Sequence, residues 1–459
     1  MNKEKFTLIG AGLAGPLMAS YLAKKGYFVE IFEQRPDMRK ESISAGRSIN
    51  LALSIRGINS LKEVGLYEKI KNHAIPMKGR MIHDLDGKTH LQPYGQKEDE
   101  TIFSVSRGKL NMDLMTLAEK TGKVSIRFNH QLLSADLDQN ELIFQLTDSS
   151  EEIKSSFSKV IGCDGSASIL RKAIVNKTNA NYIKKPLGHG YKELTIPPSK
   201  NEKFQIEPNA LHIWPRGKYM LIALPNTDFS FTCTLFFPMT GETSFETVIT
   251  EKDILKLFQS QFPDTVKLMP TLVEDFQSNP TGDLASVYCE PWHFENKALL
   301  IGDAAHAVVP FFGQGMNASF QDCSVLNQLI GQYADDWTAI FNDFSTTQVE
   351  NGHAIADMAI ENYLEMRDHV NNPDYKKRRN IELKLERMFP DRFIPRYSMV
   401  SFHQMPYSEV YEKGNQQYKI IDEVLKICLL YTSPSPRDAT LSGMPSSAFK
   451  KKTGWGVGG

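Results

Sequence analysis

The feature that most constrains this chain is a short apolar run that breaks into glycines, Thr7-Leu8-Ile9-Gly10-Ala11-Gly12-Leu13-Ala14-Gly15. A run of this kind followed by a helical pattern is a strand, a tight turn and a helix that starts above the strand's carboxyl end. In G-x-G-x-x-G the first glycine permits the turn, the second lets backbone approach a pyrophosphate, and the third lets the helix pack closely on the sheet. The helix N-terminus presents free N–H groups and a positive dipole end to the phosphates. Pro16 suits its first turn, where a missing N–H costs nothing. A second strand, Phe28–Phe32, ends at Glu33, an acid placed to accept hydrogen bonds from a ribose diol. The unit predicts an α/β fold with a parallel sheet and a bound dinucleotide.

At 459 residues the chain has room for two or three domains, and 41% hydrophobic with 23% charged residues is the balance of a globular protein. A formal net charge of −1 argues against nucleic acid as the main partner. The five cysteines are scattered singly, which predicts neither a disulfide framework nor a zinc site and fits a reducing compartment. The first strand begins after five residues, and no apolar run is long enough to cross a bilayer, so the expectation is a cytoplasmic protein with no signal peptide and no membrane span.

After Glu33 the chain is polar up to Gly46–Leu53 (GRSINLAL), read as a loop that turns into a short segment beside the cofactor. Ile58, Leu61, Val64 and Ile70 share one helical face. Arg80–His83 and Gln92–Gly95 flank a turn at Asp86-Gly87. A helix starts at Ser106-Arg107, and Val160–Gly165 is another strand, ending in an Asp-Gly turn. Between about 180 and 285, strand patterns punctuated by prolines dominate: Tyr191–Ile196, Leu211–Trp214, Tyr219–Leu224 and Phe229–Phe237. This reads as a mostly antiparallel sheet inserted into the α/β frame, interrupted by one helix, Asp253–Phe262. The α/β texture resumes at Ala298–His306, and helices follow over Ala318–Tyr333, about 338–370, 375–388 and Val410–Lys426. From about Cys428 the chain loses periodicity. It reads either as a disordered tail or as translated adapter DNA joined to a truncated frame, and fold and function are read without it.

Three dinucleotide-type signatures thus occur in order: the glycine turn with Glu33, Asp164-Gly165, and Gly302-Asp303. Asp303 follows a buried strand, so its carboxylate emerges at a strand end, where it can hold a sugar-like hydroxyl. The helix starting near Gly315 aims its N–H groups ahead of it. Other residues read blandly by themselves. Arg80 is a surface arginine near a turn, and Tyr94 a packed turn aromatic. Asn362 and Glu365 are the solvated face of a helix, and Tyr397 is core. His306, beside the Gly-Asp turn, is assigned no catalytic part.

The three signatures in this order resemble the single-component FAD-dependent aromatic hydroxylases. GRSINLAL, Arg80–His83, Pro93–Gly95, Gly190–Ile196, Asn209–Pro215, Pro310–Asn317 (PFFGQGMN), Asn362–Met366 and Phe393–Val400 narrow the likeness to the kynurenine 3-monooxygenases, over residues 6 to about 425. The resemblance implies an α/β fold of the glutathione-reductase/p-hydroxybenzoate-hydroxylase type. Its Rossmann-like FAD-binding domain would be discontinuous over residues 1–75, 101–180 and 285–375. A mostly antiparallel substrate domain would span 76–100 and 181–284, and a helical segment 376–427. It implies FAD held by Gly10, Gly12, Leu13, Gly15, Glu33, Arg35, Ala52, Arg107, Asp303, Gly315, Met316 and Asn317. It implies L-kynurenine held at its carboxylate by Arg80, Tyr94, Asn362 and Tyr397, with Phe311 and Phe312 as the apolar wall. NADPH and oxygen would be the co-substrates. Two other readings stay open at this point: a related flavin hydroxylase or reductase with a different substrate, and a flavin-binding protein without turnover.

Overall fold

The computed structural model describes residues 4–40, 50–97, 99–369 and 373–432. Residues 46–49 of the GRSINLAL stretch, and the tail from residue 433 onward, lie outside the described residues. The frame is a six-stranded sheet in the order His293–Phe294, Ala298–Leu300, Lys159–Gly162, Lys5–Ile9, Phe28–Phe32, Val124–Arg127. The four pairings from Ala298–Leu300 to Val124–Arg127 are parallel, and only the His293–Phe294 edge is antiparallel. Parallel strands need both faces covered. Accordingly Phe6, Leu8, Ile31, Val160, Ile161 and Leu299 are all buried. The helices Ala14–Lys24 and Gly315–Gln332 pack on this core. The central strands read as continuous apolar runs for that reason.

A second sheet of seven strands stands over the carboxyl ends of the first. Its order is Gly282–Glu290, Asn181–Ile196, Phe231–Pro238, Met220–Pro225, Leu211–Pro215, Gly79–His83, Thr89–Pro93. Every neighbour pair is antiparallel except Leu211–Pro215 with Gly79–His83. The hairpin Gly79–Pro93 therefore joins, across more than a hundred residues of sequence, the sheet built by the 181–290 segment. One face of this sheet packs Cys233, Leu235, Phe237 and Trp214 against the helix Glu251–Gln261, whose start is closed by a Thr250–Asp253 capping box. The other face carries Ile82, Ile213, Met220 and Phe236 toward the helices Trp337–Leu364 and Arg396–Phe402.

Some boundaries differ from the sequence reading. Phe229 is not in a strand: it has φ +67° in the turn closed by the Asn226 and Ser230 backbones, and the strand begins at Phe231. The strand read as Tyr191–Ile196 starts at Asn181, because its first half pairs with Gly282–Glu290 rather than following an alternating pattern of its own. The last helix, Tyr407–Thr432, begins before Val410 and runs past Lys426. No described helix is long and apolar enough to cross a membrane.

Behind the seven-stranded sheet, a buried polar chain ties three segments together. Asp264 Oδ2 accepts from Trp214 Nε1 and lies 2.8 Å from His83 Nδ1. His83 Nε2 is 2.8 Å from His212 Nδ1, and His212 Nε2 donates to the Glu207 carbonyl at 2.7 Å. Burial pushes His212 down to about 4, so it stays neutral when folded. The unfolded chain takes up this proton near the ordinary value of 6.5. Stability is therefore lost as pH falls from 6.5 toward 4, by up to about 3 kcal/mol from this one group. Thermal unfolding between pH 7 and pH 4.5 should show this slope, and His212→Asn should flatten it.

Candidate functional site

The glycine turn is held by contacts that leave little freedom. Gly10 has φ +101°, and its N–H donates to the Phe32 carbonyl at 2.7 Å. A Cβ on Gly15 would stand 2.0 Å from the Gly10 carbonyl oxygen, so only glycine lets the helix come down this close. Glu33, buried at the end of the second strand, receives the Ala11 N–H at 2.7 Å, and its other oxygen receives the Arg35 N–H and Nε. The acid therefore shapes the turn as well as facing its contents. A Cβ on Gly12, by contrast, would meet no protein atom within 4 Å. That open side faces a cavity of about 870 Å³.

The cavity runs from this turn across the strand ends. Gly10, Gly12, Leu13, Glu33 and Arg35 line its start, and Ala52, Arg107 and Asp164 its middle. Asp164 Oδ2 caps the helix Ile169–Thr178 by accepting from Ile169 N at 2.8 Å, and burial raises its carboxyl. Asp303 stands exposed to the cavity at the end of the strand Ala298–Leu300, beside Gly302 with φ +60°. Gly315 and Met316 open the helix Gly315–Gln332 onto it, and the first N–H groups of that helix have no intrahelical partner. Asn317 and Gly15 do not line the cavity. Asn317 is buried, accepting from Ser54 N at 2.9 Å and donating to the Ala52 and Gly313 carbonyls at 2.8 Å. Its side chain fastens the strand Asn50–Leu53 to the loop before the helix.

At the far end, Arg80, Tyr94, Phe312 and Tyr397 line this cavity and also a smaller chamber of about 470 Å³ beyond it. They form the wall between the two. Tyr94 and Tyr397 stack with centroids 5.1 Å apart, and the Arg80 guanidinium lies 4.9 Å from the Tyr397 ring. Arg80 Nη1 is 3.7 Å from Glu365 Oε1. Burial holds both phenols above their ordinary values, so each keeps its proton. Phe312 stacks on Tyr397 at 5.5 Å, and Phe311 lies on the larger cavity's side. Asn362 lines the smaller chamber, and its amide donates to the Phe311 carbonyl at 2.7 Å. The bland expectations for Arg80 and Asn362 are corrected here: both are buried, Arg80 at 6% and Asn362 at 5% exposure. Both are covered by partners distant in sequence, which no local pattern reveals.

The FAD binding domain family matches residues 5–337. Proteins named kynurenine 3-monooxygenase are similar over nearly the whole chain. That of Myxococcus xanthus is 48% identical over 423 residues, covering 92% of this chain and 91% of its own length. That of Anopheles gambiae is 44% identical, covering 91% and 86%, and that of Sus scrofa 42%, covering 93% and 89%.

The chain belongs to the kynurenine 3-monooxygenase family.

It is an FAD-dependent oxidoreductase. At the level of fold, it is similar to p-nitrophenol 4-monooxygenase PnpA from Pseudomonas putida DLL-E4, with TM-score 0.65, 15% identity, and 84% and 94% of the two chains covered. It is likewise similar to 2-methyl-3-hydroxypyridine-5-carboxylic acid oxygenase, with TM-score 0.64, 17% identity, and 82% and 95% covered. The residues present fit FAD: an open glycine face for a pyrophosphate, a free carboxylate at a strand end, and a helix N-terminus further along one cavity.

In this family member, sequence reasoning missed the support behind Asp303. Asp322 Oδ2 accepts from Gly302 N at 2.8 Å and lies 2.7 Å from His306 Nε2, and all three residues are buried. Burial opposes charge on His306, but Asp322 outweighs it and holds the imidazole above its ordinary value. His306 also stacks on Trp292, which makes it structural. Asp322 is nineteen residues from Asp303 on a separate helix, and nothing in its neighbours marks it. It fixes the left-handed Gly302 that aims Asp303. Asp322→Asn should lower affinity for FAD at least about tenfold, the scale of one lost charge-assisted hydrogen bond. Titration of apoprotein with FAD would measure it.

Proposed function

We propose that this chain uses NADPH and oxygen to hydroxylate L-kynurenine at the ring 3-position, giving 3-hydroxykynurenine, a step of tryptophan degradation by the kynurenine pathway. The observation that carries this reading is the convergence of Arg80, Tyr94 and Tyr397 at one end of a cavity whose other end is suited to a dinucleotide, with Asn362 in the chamber directly behind them. The relatives' name supplies the substrate. A guanidinium beside two protonated phenols and an amide is a suitable receptor for an amino-acid carboxylate. That end of the ligand is then anchored, and its ring is directed along Phe311 and Phe312 toward the helix start at Gly315.

FAD, bound along the glycine turn and Asp303, supplies the two-electron chemistry by which oxygen is inserted into an aromatic C–H bond. The chain's part is positioning and exclusion. The aromatic amine of kynurenine already enriches the ortho carbon, so no strong base is required of the protein. None is proposed: His306 is committed to Asp322 and Trp292. The N–H groups at Gly315 and Met316 present a positive dipole end to negative charge arising at that end of the cavity. The apolar wall keeps water from the reacting face.

NADPH oxidation by the purified holoenzyme should be strongly stimulated by L-kynurenine, with 3-hydroxykynurenine as product. Stimulation by a simple phenol and not by kynurenine would replace this reading with that of a related hydroxylase. Arg80→Ala should raise KM for kynurenine by roughly 10- to 150-fold, the equivalent of about 1.5–3 kcal/mol, with flavin content unchanged.

A further inference from the structure

On the two strands Met220–Pro225 and Phe231–Pro238 of the seven-stranded sheet, the side chains that line the cavity are apolar with one exception. Met220, Ile222, Leu224 and Phe236 line the cavity from adjacent strands, and Thr234 stands among them. Thr234 is 2% exposed, and its Oγ1 has no hydrogen-bond partner. Two positions back on the same face, the Thr232 hydroxyl does have one, receiving Asn226 Nδ2 at 3.1 Å. Buried hydroxyls in folded proteins are paired, and valine has nearly the same shape without the need. An unpaired hydroxyl on a cavity wall, in a row where apolar side chains otherwise serve, has its partner in what fills the cavity.

The sheet register says which part of the ligand that is. Ile82, Ile213, Ile222 and Thr234 lie in one row across four neighbouring strands. Arg80 is two residues from Ile82 on the first of these strands, on the same face of the pleat. Three interstrand steps of roughly 4.8 Å, about 14 Å in all, separate the arginine strand from Thr234. An extended arginine side chain followed by an amino acid with an aryl-ketone side chain spans that distance. The end anchored at Arg80 is the carboxylate, so the end that reaches Thr234 is the substituted ring.

We propose that Thr234 is a specificity-determining residue whose hydroxyl accepts a hydrogen bond from the aromatic amine of the substrate. The proposal rests on the kynurenine reading above. In an ortho-aminoaryl ketone one amine N–H bonds internally to the ketone oxygen, and the other points outward. A hydroxyl that accepts from this outward N–H leaves the nitrogen lone pair conjugated with the ring. The ortho carbon then stays electron-rich, whereas donation to the nitrogen would withdraw that electron density. Thr234 thus selects for the substituent that activates the ring and keeps it activating.

The test compares two ligands on the holoenzyme: L-kynurenine, and the same amino acid lacking the aromatic amine (2-amino-4-oxo-4-phenylbutanoate). Kd is read from the flavin absorbance change on titration. Thr234→Val should raise Kd for kynurenine about tenfold and leave that of the des-amino analogue within about twofold, while Thr234→Ser keeps the parent preference. Flavin content and thermal midpoint report that each variant is folded. Equal weakening of both ligands by Thr234→Val, or weakening of neither, overturns the proposal. If the unsubstituted enzyme itself fails to bind kynurenine, the substrate reading falls, and this proposal with it. A parent that binds kynurenine with no change in Thr234→Val sinks this proposal alone.

Discussion

The structure depends on how closely one helix can approach the ends of the central strands. At Gly15 the helix Ala14–Lys24 comes so near the Gly10 carbonyl that any side chain would overlap it. Gly10 itself presses on the Cys163 carbonyl of the neighbouring strand, where a Cβ would stand 2.4 Å away. The turn between them is therefore compressed from both sides, and Glu33 takes up the Ala11 N–H that the turn exposes. The compression sets the helix N-terminus directly over the strand ends. That single close contact places the open face of Gly12, and everything else along the cavity is measured from it.

The second organising relation is between the two sheets. They are separate hydrogen-bonded units, and the chain between Val308 and Asn317 runs between them. Phe311 packs on Phe236 of the upper sheet at 4.7 Å and on Tyr363 at 4.0 Å, while Asn317 six residues later is tied to Ala52 and Ser54 of the lower frame. The C-terminal helices close the arrangement. Tyr407 donates to Gln314 at 2.9 Å, and the buried Arg56 guanidinium lies 3.9 Å from the Tyr407 ring while donating to the Met405 carbonyl. A segment fifty residues or more from the loop thus contributes to its placement. The apolar wall and the helix start at Gly315 are held as one piece by contacts on both sides.

Asp322 and His306 show the same economy in the lower frame. A left-handed residue at Gly302 has no side chain of its own to hold it, and its N–H is captured instead by a carboxylate on a packed helix. The carboxylate is paired in that buried place with the imidazole beside it. Asp303 is left with nothing to do but face the cavity.

What the sequence determined by itself is what local backbone geometry dictates. G-x-G-x-x-G admits few conformations other than a strand, a turn and a closely packed helix, and the buried parallel strands read as apolar runs because both their faces are covered. Asp164-Gly165 and Gly302-Asp303 were legible for the same reason, as strand ends that must turn. What only the tertiary structure decided is which distant side chains share a wall. Arg80 reads as a surface residue until the sheet pairs its hairpin beside Leu211 and the helices beyond residue 337 cover it. Asn362 reads as a solvated helix position until Phe311 is folded against it. Thr234 reads as one more β-branched strand residue: the alternation Phe231-Thr232-Cys233-Thr234 puts it off the apolar face, and only the stacking of layers shows that this side meets a cavity. Such assignments depend on register and layer stacking, which are set by the sum of many weak long-range contacts and leave no periodic trace in the residues themselves.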